Sequence, residues 1–204
     1  MNYAATTTRR KRHLLPMAIT LALISAFAWA QAIDPDLLAK ASAGDTASQV
    51  QVGERYAANA AALHNVTSAG DAYKTAAEWY RKAAEQGSIP GQLHLAALYR
   101  DGGKGFPRDM EQAAAWYRKA AEQGDVSAQA SLGVLYSIGQ GVPHNDIEAY
   151  FWLDLAASVK GPNQEKYVAN RQMIGTHITT EELDAVQERV AAWIAAHPRS
   201  GTTE

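Results

Sequence analysis

Apolar residues recur along the middle of this chain at the spacing of one face of an α-helix. In the segment 113–121, alanine, tryptophan or tyrosine occupies positions i, i+3, i+4, i+7 and i+8. The segments 76–84 and 149–157 have apolar residues at the same five positions. A period of 3.6 residues predicts three amphipathic helices, each with one apolar stripe that must be covered by a neighbour.

A second apolar stripe precedes the later two of these helices, and it also repeats. It consists of Gly91, Leu95, Leu98 and Tyr99 in one copy and of Ala128, Leu132, Leu135 and Tyr136 in the next. The step from Trp79 to Trp116 is 37 positions, and the step from Trp116 to Trp152 is 36. Self-similarity at this period indicates stacked helix pairs, so the predicted class is all-α, with units at 44–87, 88–124 and 125–160.

Turn and capping residues divide each unit into a helix A and a helix B. Asp109 and Asn145, with Gln112 and Glu148 three residues later, predict capping boxes at two B helices. The first unit differs, because its helices are expected at 47–58 and 72–86. The segment 59–70 between them is interpreted as a loop carrying an insertion of about six residues.

The two ends of the repeat array are predicted to be capped by further helices. A short helix is expected at 33–43, and residues 161–197 are expected to form C-terminal capping helices, the first at 164–175. Thr179 and Glu182 predict a capping box for the last one, to about residue 196. Its inward side chains are expected to be Leu183, Val186, Val190, Trp193 and Ile194. Residues 198–204 are predicted to be a loose tail.

The N-terminal segment has the pattern of a secretory signal peptide. Four basic residues at 9–12 precede an apolar run at 14–27, and small residues follow at 28–32. We predict a signal peptide at 1–30, with cleavage after residue 30 or 32. A retained anchor is the alternative, but the run is shorter than the ~20 residues of a membrane span. The predicted location is therefore the periplasm or the outside of the cell.

Charge and cysteine content narrow the classes of function. The chain of 204 residues has a formal charge of −2, and removal of four basic leader residues makes it −6. An acidic chain lacks the basic surface of a nucleic-acid-binding protein. There is no cysteine, so this exported chain would depend on packing alone for its stability.

The repeated residues resemble a known family. The motifs Leu-Gly-x-x-Tyr, Gly-x-Gly-Val and Ala-x-x-Trp-Tyr-x-Lys-Ala-Ala-Glu-Gln-Gly-x-x-x-Ala-Gln, which cover roughly residues 44–160, are similar to the Sel1-like repeat, a relative of the tetratricopeptide repeat. The resemblance implies a right-handed α/α superhelix, or solenoid. It departs in the first unit, where Arg55 stands in the place of Leu98 and Leu135.

No catalytic, cofactor-binding or metal-binding constellation is predicted. The chain has no His-Glu-x-x-His, Gly-x-Ser-x-Gly or Ser-x-x-Lys motif, and its histidines are scattered. Cysteine-rich relatives of Sel1-like proteins are associated with β-lactam binding or hydrolysis, but this chain has no cysteine. The tryptophan and tyrosine of each helix B are predicted to lie in the core. The Arg-Lys pairs after them are predicted to be solvated.

A partner-binding face is predicted on the A helices. Arrays of this kind usually bind ligands on the concave surface that these helices line. The candidate residues there are Glu54, Leu93, Ala97, Arg100, Val134 and Ser137. They differ between units while the core repeats, as a ligand-shaped surface would, although neutral drift gives the same pattern.

Three functions remain open at this point. The first is an exported, non-enzymatic adaptor that binds a protein or peptide, without cofactors, in the bacterial envelope or outside the cell. The second is an envelope enzyme or carbohydrate-modifying factor that uses the 59–70 segment around His64. The third is a purely structural periplasmic component.

Overall fold

The computed structural model describes residues 33–198, and helices dominate this range. Nine α-helices occur there, at α1 Pro35–Ser42, α2 Thr46–Ala62, α3 Val66–Glu85, α4 Ile89–Asp101, α5 Met110–Glu122, α6 Val126–Ile138, α7 Asp146–Ala157, α8 Gln164–Gly175 and α9 Thr180–Ala196. The only β feature in the same range is an isolated bridge between Gly103 and Phe106. The all-α prediction is confirmed. The predicted signal peptide, 1–30, and residues 199–204 of the predicted tail lie outside the described residues.

The helices form antiparallel pairs that stack in chain order. Helix α2 pairs with α3, α4 with α5, and α6 with α7, and each B helix packs on the A helix of the next unit. Leu95, Leu132 and Leu153, fully buried, lie in the continuous core between these layers. The apolar stripes predicted from the sequence are therefore the surfaces that adjoining helices bury.

Side-chain caps fix where the helices begin. The Asp109 carboxylate accepts a hydrogen bond from the Gln112 N–H at 2.9 Å, and the Asn145 side chain accepts one from the Glu148 N–H at 3.0 Å. The predicted reciprocal bonds from Gln112 and Glu148 are not made, so these two capping boxes were wrong. The box at Thr179 and Glu182 is complete and confirmed.

The predicted loop at 59–70 is wrong, because most of it is helical. Helix α2 continues to Ala62 and α3 starts at Val66, so only residues 63–65 connect them. The alanine-rich sequence before residue 63 favours helix, and Asn65 caps α3 through the Ser68 N–H at 3.0 Å. The extension packs closely on the next unit, since a Cβ built on Gly70 would lie 2.6 Å from the Gly105 carbonyl oxygen.

Four equivalent glutamine contacts, three of them buried, show that the array extends half a unit beyond each end of the three repeats. In the two inner contacts, Gln92 and Gln129 of A helices donate to the carbonyls of Ala84 and Ala121 in the preceding B helices, at 3.2 and 3.3 Å. The outer contacts are Gln49 to Ala41 at 3.0 Å and Gln164 to Ala157 at 3.1 Å. Helix α1 therefore occupies the place of a preceding helix B, and α8 occupies the place of a fourth helix A.

Helix α9 does not pair with α8 as a fourth helix B would. It packs on α7, where Arg189 donates to the Glu148 carboxylate at 2.9 Å and its guanidinium lies 4.6 Å from the centroid of the Phe151 ring. Val186 and Val190 are buried as predicted, but Ile194 is 39% exposed, which corrects the prediction that it points inward. Ile194 lies on the same stripe as Val190 but in the last turn of α9, which ends at Ala196.

Successive A helices contact each other in two places along the array. Helix α2 contacts α4, and α6 contacts α8, whereas no two B helices of residues 33–198 approach each other to a comparable extent. In these two pairs the A helices therefore lie closer to one another along the stack than the B helices do. No helix within the same range has the length and hydropathy needed to cross a membrane.

Candidate functional site

The repeated Trp-Tyr motif is largely a packing element. Trp116 and Trp152 are buried, and so are Tyr80 and Tyr117. Trp79 is an exception, because it is only half-buried. The Lys82 ammonium lies 4.0 Å from the centroid of the Trp79 ring, a cation–π contact that covers the part of the ring that packing leaves open.

The arginines of the same motif join successive units. Arg81 donates a hydrogen bond to the Tyr99 hydroxyl, and Arg118 donates one to the Tyr136 hydroxyl. Each bond runs from a helix B to the next helix A. The prediction that the Arg-Lys pairs are only solvated is wrong for these arginines, because each has a partner in the neighbouring unit.

The six residues predicted for partner binding lie on the A helices and are partly accessible. Glu54, Arg100 and Val134 are exposed, whereas Leu93, Ala97 and Ser137 are half-buried. The Ser137 hydroxyl donates to the Val134 carbonyl at 2.9 Å, which ties it to its own helix. We call the surface formed by Glu54, Leu93, Ala97, Arg100, Val134 and Ser137 the A-helix face.

At the N-terminal end of the A-helix face, Glu54 forms part of a compact cluster. Its carboxylate lies 3.1 Å from Nε2 of His94, and the His94 ring stacks on the Tyr80 ring with centroids 5.0 Å apart. Burial, with a smaller contribution from the Glu54 charge, raises the pKa of Tyr80 above its ordinary value. The contact was not predicted, because it joins three helices whose register is known only once they are stacked.

At the C-terminal end, Arg100 and Val134 line a half-open cavity of about 240 Å³. Its other walls include Tyr117, Ser131 and Lys166. Helices α4, α5, α6 and α8 all contribute to it, and α8 supplies one of its walls through Lys166. We call it the Ser131 cavity.

Arg100 is held at the rim of the Ser131 cavity by a carboxylate and a hydroxyl. It makes two hydrogen bonds to the Asp101 carboxylate, at 2.7 and 2.9 Å, and one to the Tyr117 hydroxyl at 2.9 Å. The bonds with Asp101 raise the pKa of Arg100 and lower the pKa of Asp101. Burial raises the pKa of Tyr117, and its hydroxyl is the acceptor of the Arg100 bond.

The histidines of the described residues are not arranged as a metal centre. His64 is exposed in the short connection between α2 and α3. His144 and His177 both approach the Asp146 carboxylate, at 3.2 and 3.5 Å. Within residues 33–198 no group of three His, Asp or Glu side chains is arranged to hold a metal ion.

Comparison with known proteins gives matches to one family and to solved structures. A family model described as the Sel1 repeat matches residues 69–88, 89–125 and 126–158. The chain is similar to a Sel1 repeat protein from Oxalobacter formigenes, with 30% identity and a TM-score of 0.53, over 66% of this chain and 96% of that one. It is also similar to a protective antigen of uropathogenic Escherichia coli that displays an SLR fold.

For the Escherichia coli antigen the identity is 26% and the TM-score is 0.55, over 79% of this chain. The match covers only 40% of that antigen's own length. No curated protein matches the chain significantly.

Proposed function

The chain belongs to the Sel1 repeat family, and we propose that it is an exported, non-enzymatic scaffold that binds a protein or peptide partner. Sel1 repeat proteins are typically protein-interaction scaffolds and are generally non-catalytic. The proposed location is the bacterial envelope or the outside of the cell, and the proposed binding surface is the A-helix face.

One observation carries the assignment of the surface. At a core register of the A helices, Val52, Leu95 and Leu132 are all aliphatic and fully buried. Two positions later, on the A-helix face, the three units instead carry a carboxylate, a methyl group and an isopropyl group, at Glu54, Ala97 and Val134. A scaffold that repeats its core and varies its inner surface offers a ligand a series of chemically different contacts along one groove.

The export part of the proposal rests on the leader pattern at residues 9–32. Subcellular fractionation of the producing bacterium, followed by N-terminal sequencing of the purified protein, tests it. We expect a mature chain that begins at Gln31 or Ile33 and is absent from the cytosol. A cytosolic protein that retains the leader would contradict export without affecting the binding proposal.

The binding part is tested by affinity purification of the mature chain from envelope extract. The variant Glu54→Ala/Arg100→Ala removes two charges from the A-helix face, and Glu85→Ala/Lys119→Ala removes the same two charge types from exposed B-helix positions. We expect the first pair, and not the second, to lose a captured partner. Equal recovery with both variants would rule out the A-helix face, and failure to capture any partner would favour a purely structural role.

A further inference from the structure

The Ser131 cavity exists because two equivalent positions of the array carry side chains of different size. His94 in α4 and Ser131 in α6 stand 37 positions apart, as do Tyr80 and Tyr117 beneath them. In the earlier unit the His94 imidazole covers the Tyr80 ring. In the later unit the small Ser131 side chain leaves the space beside Tyr117 open, and this space is the cavity of about 240 Å³.

The charged side chains that line the Ser131 cavity have one sign. Arg100 and Lys166 are both cationic, and the lining contains no carboxylate. Asp101 offsets part of the Arg100 charge from outside the lining, whereas exposed Lys166 makes no ion pair within residues 33–198. The Ser131 hydroxyl donates to the Ser127 carbonyl at 2.8 Å and the Tyr117 hydroxyl accepts from Arg100, so the cations are the main polar groups for a ligand, and Val134 adds an apolar edge.

We propose that the Ser131 cavity binds a carboxylate group of the partner, with Lys166 and Arg100 as its cationic ligands and Val134 against the adjoining apolar atoms. The inference rests on the proposed function of the A-helix face and names the chemistry of the bound segment. An acidic side chain and a C-terminal carboxylate present the same group. Charge-assisted hydrogen bonds from an ammonium and a guanidinium suit that group better than they suit a neutral amide.

The acidity of the chain does not oppose this assignment. The mature chain would carry a formal charge of −6, which repels acidic partners at long range. At physiological ionic strength, however, the Debye length is about 8 Å, so contacts inside the cavity dominate over distant charges. A pair of cations on an otherwise acidic protein therefore selects for a carboxylate at short range.

Titration of the mature chain with three short peptides, followed by ¹⁵N–¹H NMR, tests the proposal. The first peptide is acetyl-Gly-Val-Glu-Gly-amide, the second is acetyl-Gly-Gly-Val with a free C-terminus, and the third is acetyl-Gly-Val-Gln-Gly-amide. We expect amide shifts at residues 127–135 and 164–171 with the first, the second or both, which identifies the source of the carboxylate. The glutamine peptide should bind at least about tenfold more weakly. Equal affinity for the glutamine peptide, or shifts confined to other surfaces, would overturn the proposal.

Variants separate the cavity from the fold. Ser131→His should place an imidazole beside Tyr117 as His94 does beside Tyr80, and so abolish the peptide shifts while Tm stays unchanged. Lys166→Gln, at an exposed position, should weaken the acidic peptide by roughly tenfold. Lys119→Gln, on the B-helix side, should change nothing.

The proposal fails if Lys166→Gln binds the acidic peptide as the wild type does, whatever Ser131→His does to stability. Its failure is distinguishable from failure of the scaffold proposal. Capture of an envelope partner that depends on Glu54 and Arg100, together with indifference to carboxylates, would overturn this inference alone.

Discussion

The junctions inside the array and the junction that ends it use different polar contacts at the same register. Inside, the Gln123 side chain at the end of α5 donates to the Gln92 Oε1 atom at 2.7 Å, as Gln86 does to Gln49 at 2.9 Å. At the end of α7 the corresponding residue is Val159, and the buried Oε1 atom of Gln129 has no hydrogen-bond partner among the described residues. Each inner helix B ends in a Gln-Gly pair. Its glutamine therefore makes a hydrogen bond to the preceding helix A, and its glycine makes the turn into the next one.

The arginine contacts change in the same way. Arg118 reaches forward to a tyrosine of the next helix A, whereas at the end of the array Asp154 accepts a bond from Arg171 of α8 at 2.6 Å. At the inner junction the arginine is on helix B, whereas at the end of the array it is on α8 and helix B carries the acceptor. The difference teaches that departures of the third repeat from its motif are adaptations to the helices that terminate the array, rather than decay of the sequence.

Apolar substitutions in the third repeat support that view. Ala115 of α5 is exposed, and its counterpart Phe151 of α7 is buried. Lys119 lies over Trp116, and its counterpart Leu155 is fully buried. Both apolar residues lie on the helix against which α9 packs.

The largest effect is expected from Phe151→Ala, which removes the aromatic side chain between α7 and α9. We expect a loss of about 3 kcal/mol in the free energy of unfolding, because truncation of a buried phenylalanine leaves a cavity. Urea denaturation followed by circular dichroism measures it. Glu78→Ala, at the same register on the exposed surface of α3, should change stability by less than about 0.5 kcal/mol. Similar losses at both positions would show that packing of α9 on Phe151 does not make the end of the array different from its inner units.

The next effect is expected at the reversed ion pair. Asp154→Arg places a second cation beside Arg171, and both positions are half-buried, so we expect a loss of about 2 kcal/mol. Adding Arg171→Tyr recreates the arginine–tyrosine contact of the inner junctions and should recover at least half of that loss. If the double variant is no more stable than the single one, the two kinds of junction are not interchangeable.

A smaller effect is expected from exchanging the glutamine and the valine. Gln123→Val leaves the Gln92 Oε1 atom without its donor and should lower the free energy of unfolding by about 1 kcal/mol. Val159→Gln should raise it by a similar amount, because it offers a donor to Gln129. Thermal denaturation of the two variants and of Val159→Leu measures both changes. A gain from Val159→Leu as large as that from Val159→Gln would assign the effect to packing instead.

The smallest effect concerns the pH dependence of the α9 cap. Hydrogen bonds from Thr179 lower the pKa of Glu182 in the folded protein. A depressed carboxyl pKa contributes stability above the unfolded pKa of about 4.3, and that contribution is lost as the pH falls through the folded pKa. The protection factors of the amides in the first turn of α9, which correct for the intrinsic exchange rate, should therefore fall below about pH 4. The first turn of α3, capped by Asn65 and free of acidic residues, should lack this step, and so should Glu182→Gln.

Sequence periodicity was sufficient for the class of fold and for most of the core. The tryptophan spacing and the stripes at Leu95 and Leu132 predicted the helix pairs, because a repeated period leaves few other ways to bury those faces. Local capping chemistry located the start of α9 at Thr179. These features depend on residues that are near each other in the chain.

Features that depend on how the helices stack could not be predicted from the sequence in this way. Nothing near residue 164 indicated that α8 continues the A-helix row, and the glutamine contact with Ala157 becomes visible only in three dimensions. The 59–70 segment was misinterpreted, because the insertion of about six residues was assigned to a loop while its alanines favoured helix. The predicted face included Arg100 and Val134, but Lys166, from outside the repeats, was missed. The pairing of His94 with Glu54, which distinguishes the filled site from the open Ser131 cavity, was also missed.

Site-specific photo-crosslinking tests the central claim, that the A-helix face binds the partner, most directly. A benzoylphenylalanine residue at Val134 probes the A-helix face, and one at exposed Ala115 probes the B-helix surface. Illumination of intact producing cells, followed by purification of the chain and mass spectrometry, identifies adducts at each position. The account predicts a discrete partner adduct from Val134 that is absent from Ala115. An adduct formed equally at both positions, or only at Ala115, would contradict it.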